Sequence, residues 1–285
     1  MRIREIKLIF HNELDPLFGK DEVGSIFFRL SEAYEDFGRT DLVLFPNHII
    51  SKNKEVLFFN ALSRLKQQEP VQYILGKTHF YGLEFEVSPA TLIPRPETEE
   101  LVDWIVSDMK EVNSSFEILD IGTGSGCIAV SLAKNLPNAK VHAIDISADA
   151  LLVAKKNAHA HKVNVAFMEK DILHLSDLER AYTVIVSNPP YVTLAEKQSM
   201  KPNVLNYEPH LALFVENDDP LKFYKKISTL AKKSLVNGGL LYFEINQYLA
   251  EIVVQLLINE GFISVESRND LFGNPRMVKA VNSTD

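Results

Sequence analysis

The chain has 285 residues, 46% apolar and 24% charged; this suits one large globular domain or two modest ones and excludes a disordered chain. A single cysteine, Cys127, rules out an internal disulfide, and no apolar run approaches the ~20 residues of a membrane span. The net charge of −8 is uneven: 11 basic and 12 acidic residues up to Phe85, then 19 and 26, which gives no broad basic footprint for nucleic acid. With no signal-peptide core at the N-terminus, a cytoplasmic protein is expected, with neither a membrane nor a stable nucleic-acid partner.

The first 75 residues read as a helical bundle. Ile3, Ile6, Leu8, Ile9, Phe10, Leu14 and Phe18 form one apolar stripe, and Val23, Ile26, Phe27, Leu30, Ala33 and Tyr34 a second. Val56, Leu57, Phe59, Ala61, Leu62 and Leu65 form a third, with Asp21 and Ser51 as helix-start residues. The texture changes at Glu69–Pro70. Residues 76–92 read as a linker built on a β-hairpin over Thr78–Val87 around Gly82. Pro96 suits a first helical turn, and Glu97, Glu99 and Glu100 suit its positive end.

From Glu117 onward, strands alternate with helices. The strands expected are Glu117–Ile121, Lys140–Ile144, Asn164–Glu169, Thr183–Ser187, Gly239–Glu244, Ile263–Ser267 and Met277–Val281. Seven short β-branched runs between helices predict an α/β domain over residues 93–285, one doubly wound, largely parallel sheet. The short GNPR turn before the last strand makes that strand antiparallel.

The first strand runs into DIGTGSGCIAVSLA. Gly122, Gly124 and Gly126 alternate just before a helix, where glycine lets the backbone turn sharply beside a ligand. Asp145 ends the second strand, placed to accept hydrogen bonds from both ribose hydroxyls of an adenosine-containing ligand. A dinucleotide fingerprint would need glycine at Cys127. Asp120 before the loop would oppose a pyrophosphate and welcome a cation, which favours S-adenosylmethionine. Asp171 stands where an acceptor for the adenine amino group would lie, or is a solvated loop acid.

The fourth strand ends in Asn188-Pro189-Pro190-Tyr191. In a doubly wound sheet the ligand crevice lies where strand order reverses, which puts this tetrapeptide beside the donor. Its chemistry suits methylation of a planar amide or exocyclic amine. Such a nitrogen carries two protons that need acceptors: the Asn188 carboxamide oxygen takes one and the Pro189 carbonyl the other. Two prolines stiffen the turn, and Tyr191 offers a ring face to a flat substrate group. Positive charge growing on nitrogen strengthens both hydrogen bonds in the transition state.

The motifs QYILGKTHFYGLEFEVSPATLIPRPETEEL, DIGTGSGCIAVSLA, SNPPYV, YEPHLALF and DLFGNPR occur in this order between Gln72 and Arg276. In these the chain resembles the peptide-chain release-factor glutamine methyltransferases. The resemblance implies a Rossmann-like, seven-stranded class I methyltransferase domain, and methyl transfer from S-adenosylmethionine to the glutamine amide of the GGQ motif in class I release factors. It implies a donor loop of Gly122, Thr123, Gly124, Ser125 and Gly126, a ribose acid at Asp145, an adenine-side pair at Asp171 and Ile172, and a substrate clamp from Asn188 to Tyr191. Ile172 departs from the aromatic residue often found there. Arg95, Pro96 and Glu97 match a segment over the donor pocket, and residues 1–75 a substrate-docking domain.

Three other readings compete. A DNA adenine methyltransferase would use the same tetrapeptide on a flipped base, but the acidic second part offers no basic track. A nucleotide-holding docking module without chemistry would not need Asn188. A nicotinamide oxidoreductase fails at Cys127. His159 and His161 are two apart and do not share a helical face, so no metal site is expected. Trp104 and Cys127 read as core, and Lys225, Lys226, Lys232 and Lys233 as a solvated helix face.

Overall fold

The computed structural model describes residues 1–193 and 195–283. By their contacts, Met1–Gly76 and Lys201–Tyr207 form one unit, and Lys77–Met200 together with the chain from Glu208 onward forms another.

Up to Gly76 the helices of the first unit are α1 (Ile3–Phe18), α2 (Lys20–Glu35), α3 (Arg39–Leu44), α4 (Lys52–Lys66) and α5 (Val71–Leu75); a later helix over Pro202–Tyr207 joins them. Gly19, at φ +81°, takes the left-handed turn that separates α1 from α2. Ile3, Ile6, Phe10 and Leu14 bury one face of α1 against Val23, Ile26, Phe27 and Leu30 of α2. The core is aromatic: Phe10 meets Phe27 edge-on at 5.2 Å, and Phe27 stacks on Phe58 at 5.6 Å. The third stripe lies on a different face of α4 than its sequence suggests. Val56 and Leu57 are 56% and 44% exposed, whereas Phe58 is fully buried. Four consecutive apolar residues leave the helical phase undetermined by sequence, and packing against two aromatic neighbours settles it. Leu8, read into the first stripe, also faces out.

The second unit opens with the hairpin β1 (Lys77–Phe80) and β2 (Leu83–Glu86). Tyr81 and Gly82 both have positive φ, as a two-residue hairpin turn requires. There follow α6 (Pro96–Met109), β3 (Phe116–Ile121), α7 (Cys127–Asn135), β4 (Ala139–Asp145), α8 (Ala148–Ala160), β5 (Val165–Glu169) and β6 (Tyr182–Ser187). The short pair β7 (Val192–Thr193) and β8 (Phe214–Val215) brackets α9 (Pro202–Tyr207) and α10 (His210–Leu213). The chain ends through α11 (Lys222–Ser234), β9 (Leu235–Glu244), α12 (Ala250–Asn259), β10 (Phe262–Asn269) and β11 (Pro275–Asn282).

Seven strands form the main sheet in the order β10-β11-β9-β6-β3-β4-β5. From β9 to β5 all neighbours are parallel, and β11 is antiparallel to both β9 and β10, as the short last turn implied. Alternation along the strands feeds two cores. Ile118, Val141, Val184 and Tyr242 pack under α6 and α7, while Leu119, Ile121, Ile144, Ile185 and Phe243 pack under α11 and α12.

The hairpin, expected as a linker, packs into the second unit. Phe80 and Phe85 are buried in its core. Asn157 of α8 accepts the Glu86 N–H at 2.7 Å and donates to the Glu86 carbonyl at 3.0 Å, and its amide also donates to the Ser125 carbonyl at 2.8 Å. One side chain thus ties the hairpin to the glycine-rich loop. Lys232 likewise departs from a solvated face: its Nζ donates to the carbonyls of Gly261 and Ser283, both at 2.7 Å.

Candidate active site

Strand order reverses between β3 and β6, which opens a crevice at their carboxyl ends. The loop after β3 lines it. Gly122 and Gly124 have φ of +75° and +57°, and a Cβ at either would meet nothing within 4 Å. Glycine there supplies the conformation and leaves open space beside the backbone. Gly126 serves another end: a Cβ would stand 3.0 Å from that of Ala154, so it permits α7 to approach α8 closely. Gly126 does not face the crevice.

The loop is fastened to β4. Gly122 and Thr123 donate their N–H groups to the Ile144 carbonyl at 2.9 and 3.1 Å. Asp145 accepts from the Gly124 N–H at 2.8 Å and the Ser147 N–H at 2.9 Å. Burial pushes the Asp145 carboxyl above the usual range, against the pull of these backbone donors. Beneath the loop, fully buried Asp120 accepts from the Thr123 hydroxyl at 2.6 Å, and the backbone N–H of Ala129 also lies against the carboxyl. Burial pushes Asp120 up to about 7. Cys127 opens α7 with a buried thiol, raised by burial to about 12.

The cavity over this edge measures about 320 Å³, within the range of small-ligand sites. Its wall contains Gly122, Thr123, Gly124, Ser125, Asp145, Asp171, Ile172, Asn188, Pro189 and Pro190, so ten of the residues singled out from sequence meet in one space. Asp171 accepts the Leu173 N–H at 2.9 Å and meets His174 Nδ1 at 2.5 Å. Ile172 is buried beside Ile144 and presents an aliphatic wall.

Tyr191 stands apart from the cavity wall. Its hydroxyl donates to Glu244 Oε1 at 3.3 Å, and burial, then that carboxylate, raises it well above the usual phenol range. Glu244 ends β9, is 2% exposed, and accepts the Thr98 hydroxyl on Oε2 at 2.6 Å. Asn188 Nδ2 donates to Thr98 Oγ1 at 3.4 Å. Burial lifts the Glu244 carboxyl above its ordinary value.

The segment before α6 also reaches the cavity, through Pro94, Arg95 and Thr98. Arg95 pairs with buried Glu208 at 2.6 Å, and the other oxygen of Glu208 accepts the Ile93 N–H at 3.2 Å. The motifs RPETEEL and YEPHLALF therefore meet. Sequence reading did not assign roles to Thr98, Asn157, Glu208 or Glu244. Thr98 and Glu208 lie inside the motifs RPETEEL and YEPHLALF, the one signal the sequence carries for them.

Residues 102–206 match the family model of the methyltransferase small domain, and residues 30–76 that of the PrmC N-terminal domain. A release factor glutamine methyltransferase of Flavobacterium psychrophilum is 50% identical over 281 residues, 98% of this chain and 99% of its own. Another, of Bacteroides thetaiotaomicron, is 41% identical over 279 residues, again 98% and 99%. Among solved structures, a methyltransferase from Pyrococcus furiosus superposes with a TM-score of 0.51 at 18% identity, over 82% of this chain and 100% of its own, a likeness of fold.

Proposed function

From the premise that this chain belongs to the release factor glutamine methyltransferase family, we propose that it transfers a methyl group from S-adenosylmethionine to the side-chain amide nitrogen of the GGQ glutamine in class I release factors. The observation that carries this reading is that the Asp145 end and the Asn188 end belong to one cavity.

The residues present fit that donor. The open space beside Gly122 and Gly124 admits a chain lying against the loop backbone. Asp145 would accept the ribose hydroxyls, Ile172 would bound the adenine, and Asp171 would accept its amino group. When bound, the donor supplies a methyl carbon activated by an adjoining sulfonium.

The rest falls to the chain. Asn188 Oδ1 accepts one N–H of the incoming amide, and the Pro189 carbonyl accepts the other. Both acceptors hold the nitrogen lone pair toward the methyl carbon. As the carbon–nitrogen bond forms and the carbon–sulfur bond breaks, nitrogen becomes positive and both hydrogen bonds strengthen. The nitrogen then gives one of its protons to water, and the methylated amide is neutral.

The helical residues 1–75 would dock the protein substrate, as the resemblance implies, and the cytoplasm is where that substrate is met. Purified enzyme with labelled donor should label a release factor and leave its GGQ glutamine-to-alanine variant unlabelled. Equal labelling of both, or labelling of duplex DNA alone, overturns the reading.

A further inference from the structure

A carboxamide that serves as an acceptor must be held the right way round. Its oxygen and its NH₂ have nearly the same shape, and packing alone does not choose between them. The choice has to come from a neighbour that can only accept or only donate.

Asn188 has such a neighbour. Ser187 of β6 lies in register with Phe243 of β9, so Asn188 and Glu244 follow side by side at the sheet's carboxyl edge. Glu244 Oε2 takes the proton of the Thr98 hydroxyl at 2.6 Å. A hydroxyl has one proton, so Thr98 Oγ1 then faces Asn188 as an acceptor. The atom it meets, at 3.4 Å, is Nδ2. The carboxamide oxygen is thereby turned away from Thr98. The 3.4 Å contact is long, as such bonds often are before substrate tightens them. Thr98 is 3% and Glu244 2% exposed, so water does not compete for these atoms. The same carboxylate takes the Tyr191 hydroxyl on its other oxygen, which fixes both ends of the Asn188–Tyr191 tetrapeptide to one group.

A buried carboxylate between Phe243 and Ile245 is costly to desolvate, a cost offset by the Thr98 and Tyr191 hydroxyls and the nearby Arg276 charge. We propose that Glu244, acting through the Thr98 hydroxyl, sets the orientation of the Asn188 carboxamide and is a positioning residue for amide methylation. The proposal rests on the reading of Asn188 as acceptor for the substrate amide.

Three substitutions test the polarity of this chain. Thr98→Val keeps the shape and removes the acceptor. Thr98→Ser keeps the acceptor. Glu244→Gln can donate to Thr98, whose proton would then turn to Asn188 and draw Oδ1 toward it. Turnover on release factor, Michaelis constants for both substrates, donor affinity by calorimetry and melting temperature are measured for each. Thr98→Val and Glu244→Gln should each lose about 10²-fold in kcat, with donor affinity unchanged within about threefold. Thr98→Ser should keep kcat near wild type. The double variant Thr98→Val, Glu244→Gln should be no slower than either single one, because both act through one link.

A Thr98→Val enzyme with wild-type kcat overturns the proposal, and so does a double variant whose losses multiply. If Glu244→Gln fails to fold, the two Thr98 variants decide alone. A wild-type enzyme that leaves the GGQ glutamine unlabelled overturns the functional reading, and the positioning role with it.

Discussion

Arg95 and Glu208, 113 residues apart in the chain, meet at 2.6 Å with the carboxylate 1% exposed and the guanidinium 34% exposed. The pair fastens the segment before α6, which lines the cavity, to the segment before α10. Glu208→Ala removes the acceptor of both the guanidinium and the Ile93 N–H. Because Arg95 is part-exposed and can rehydrate, the expected loss is about 1–3 kcal/mol of stability, below that of a fully buried pair. Urea denaturation should show it, and donor affinity should fall in parallel.

Asn188→Ala should separate chemistry from binding. Asn188 lies on the cavity wall, while the loop and Asp145 that cradle the proposed donor come from β3 and β4. Turnover should fall by about 10²-fold or more, as when a transition-state acceptor is lost, with donor affinity within a few-fold of wild type. Single-turnover rates and calorimetry check it. Comparable losses in both would make Asn188 part of the donor pocket.

Asp120 makes stability depend on pH. Its carboxyl titrates near 7 in the fold against an ordinary 3.8 in the unfolded chain. Between those values the native state holds a proton that the unfolded chain has released, so stability falls as pH rises through the window. Below pH 4 the effect is absent, and above about 7 it is complete, amounting to a few kcal/mol. Asp120→Asn should reduce that slope, leaving the smaller share of buried Asp145 and Glu244, a difference visible in urea midpoints taken at pH 5 and pH 8.

Asn157→Ala strands two carbonyls and an N–H, those of Glu86 and Ser125. Only the bond to the Ser125 carbonyl is buried, while the Glu86 groups are part-exposed and can rehydrate, so the expected cost is about 1–3 kcal/mol. Because one partner belongs to the glycine-rich loop, donor affinity should weaken as well. Asn157→Asp keeps the acceptor for Glu86 N–H and loses both donor bonds. It should resemble the alanine variant in donor affinity.

The sheet was legible because each strand is a short β-branched run bounded by turn residues, and packing in a doubly wound sheet leaves little freedom of order. The glycine-rich turn after β3 and the double-proline turn after β6 are legible because their signals are local: glycines at alternate positions, two prolines in a row. Phe58 was missed because its apolar neighbours on both sides blur the helical phase. The packing of the hairpin into the second unit is not readable in sequence, because its anchor, Asn157, lies 71 residues from Glu86 and is an ordinary helix residue. Thr98 and Glu244, 146 residues apart, become partners only when α6 is laid against β9. The type of Tyr191 suggests a ring face for a substrate, but nothing in the sequence names Glu244 as the partner of its hydroxyl. Polar pairs that form at long range leave no periodicity to read.

The insertion of Lys201–Tyr207 into the first unit, from between strands of the second, constrains how this enzyme can be taken apart. The Tyr207 hydroxyl donates to the Gln67 carbonyl at 2.9 Å. A cut after Gly76 does not therefore release a self-contained cassette: it strips α9 of the helices it belongs with and leaves that stretch solvated between β7 and β8. Recombination between relatives, in the laboratory or in evolution, has to exchange two segments together.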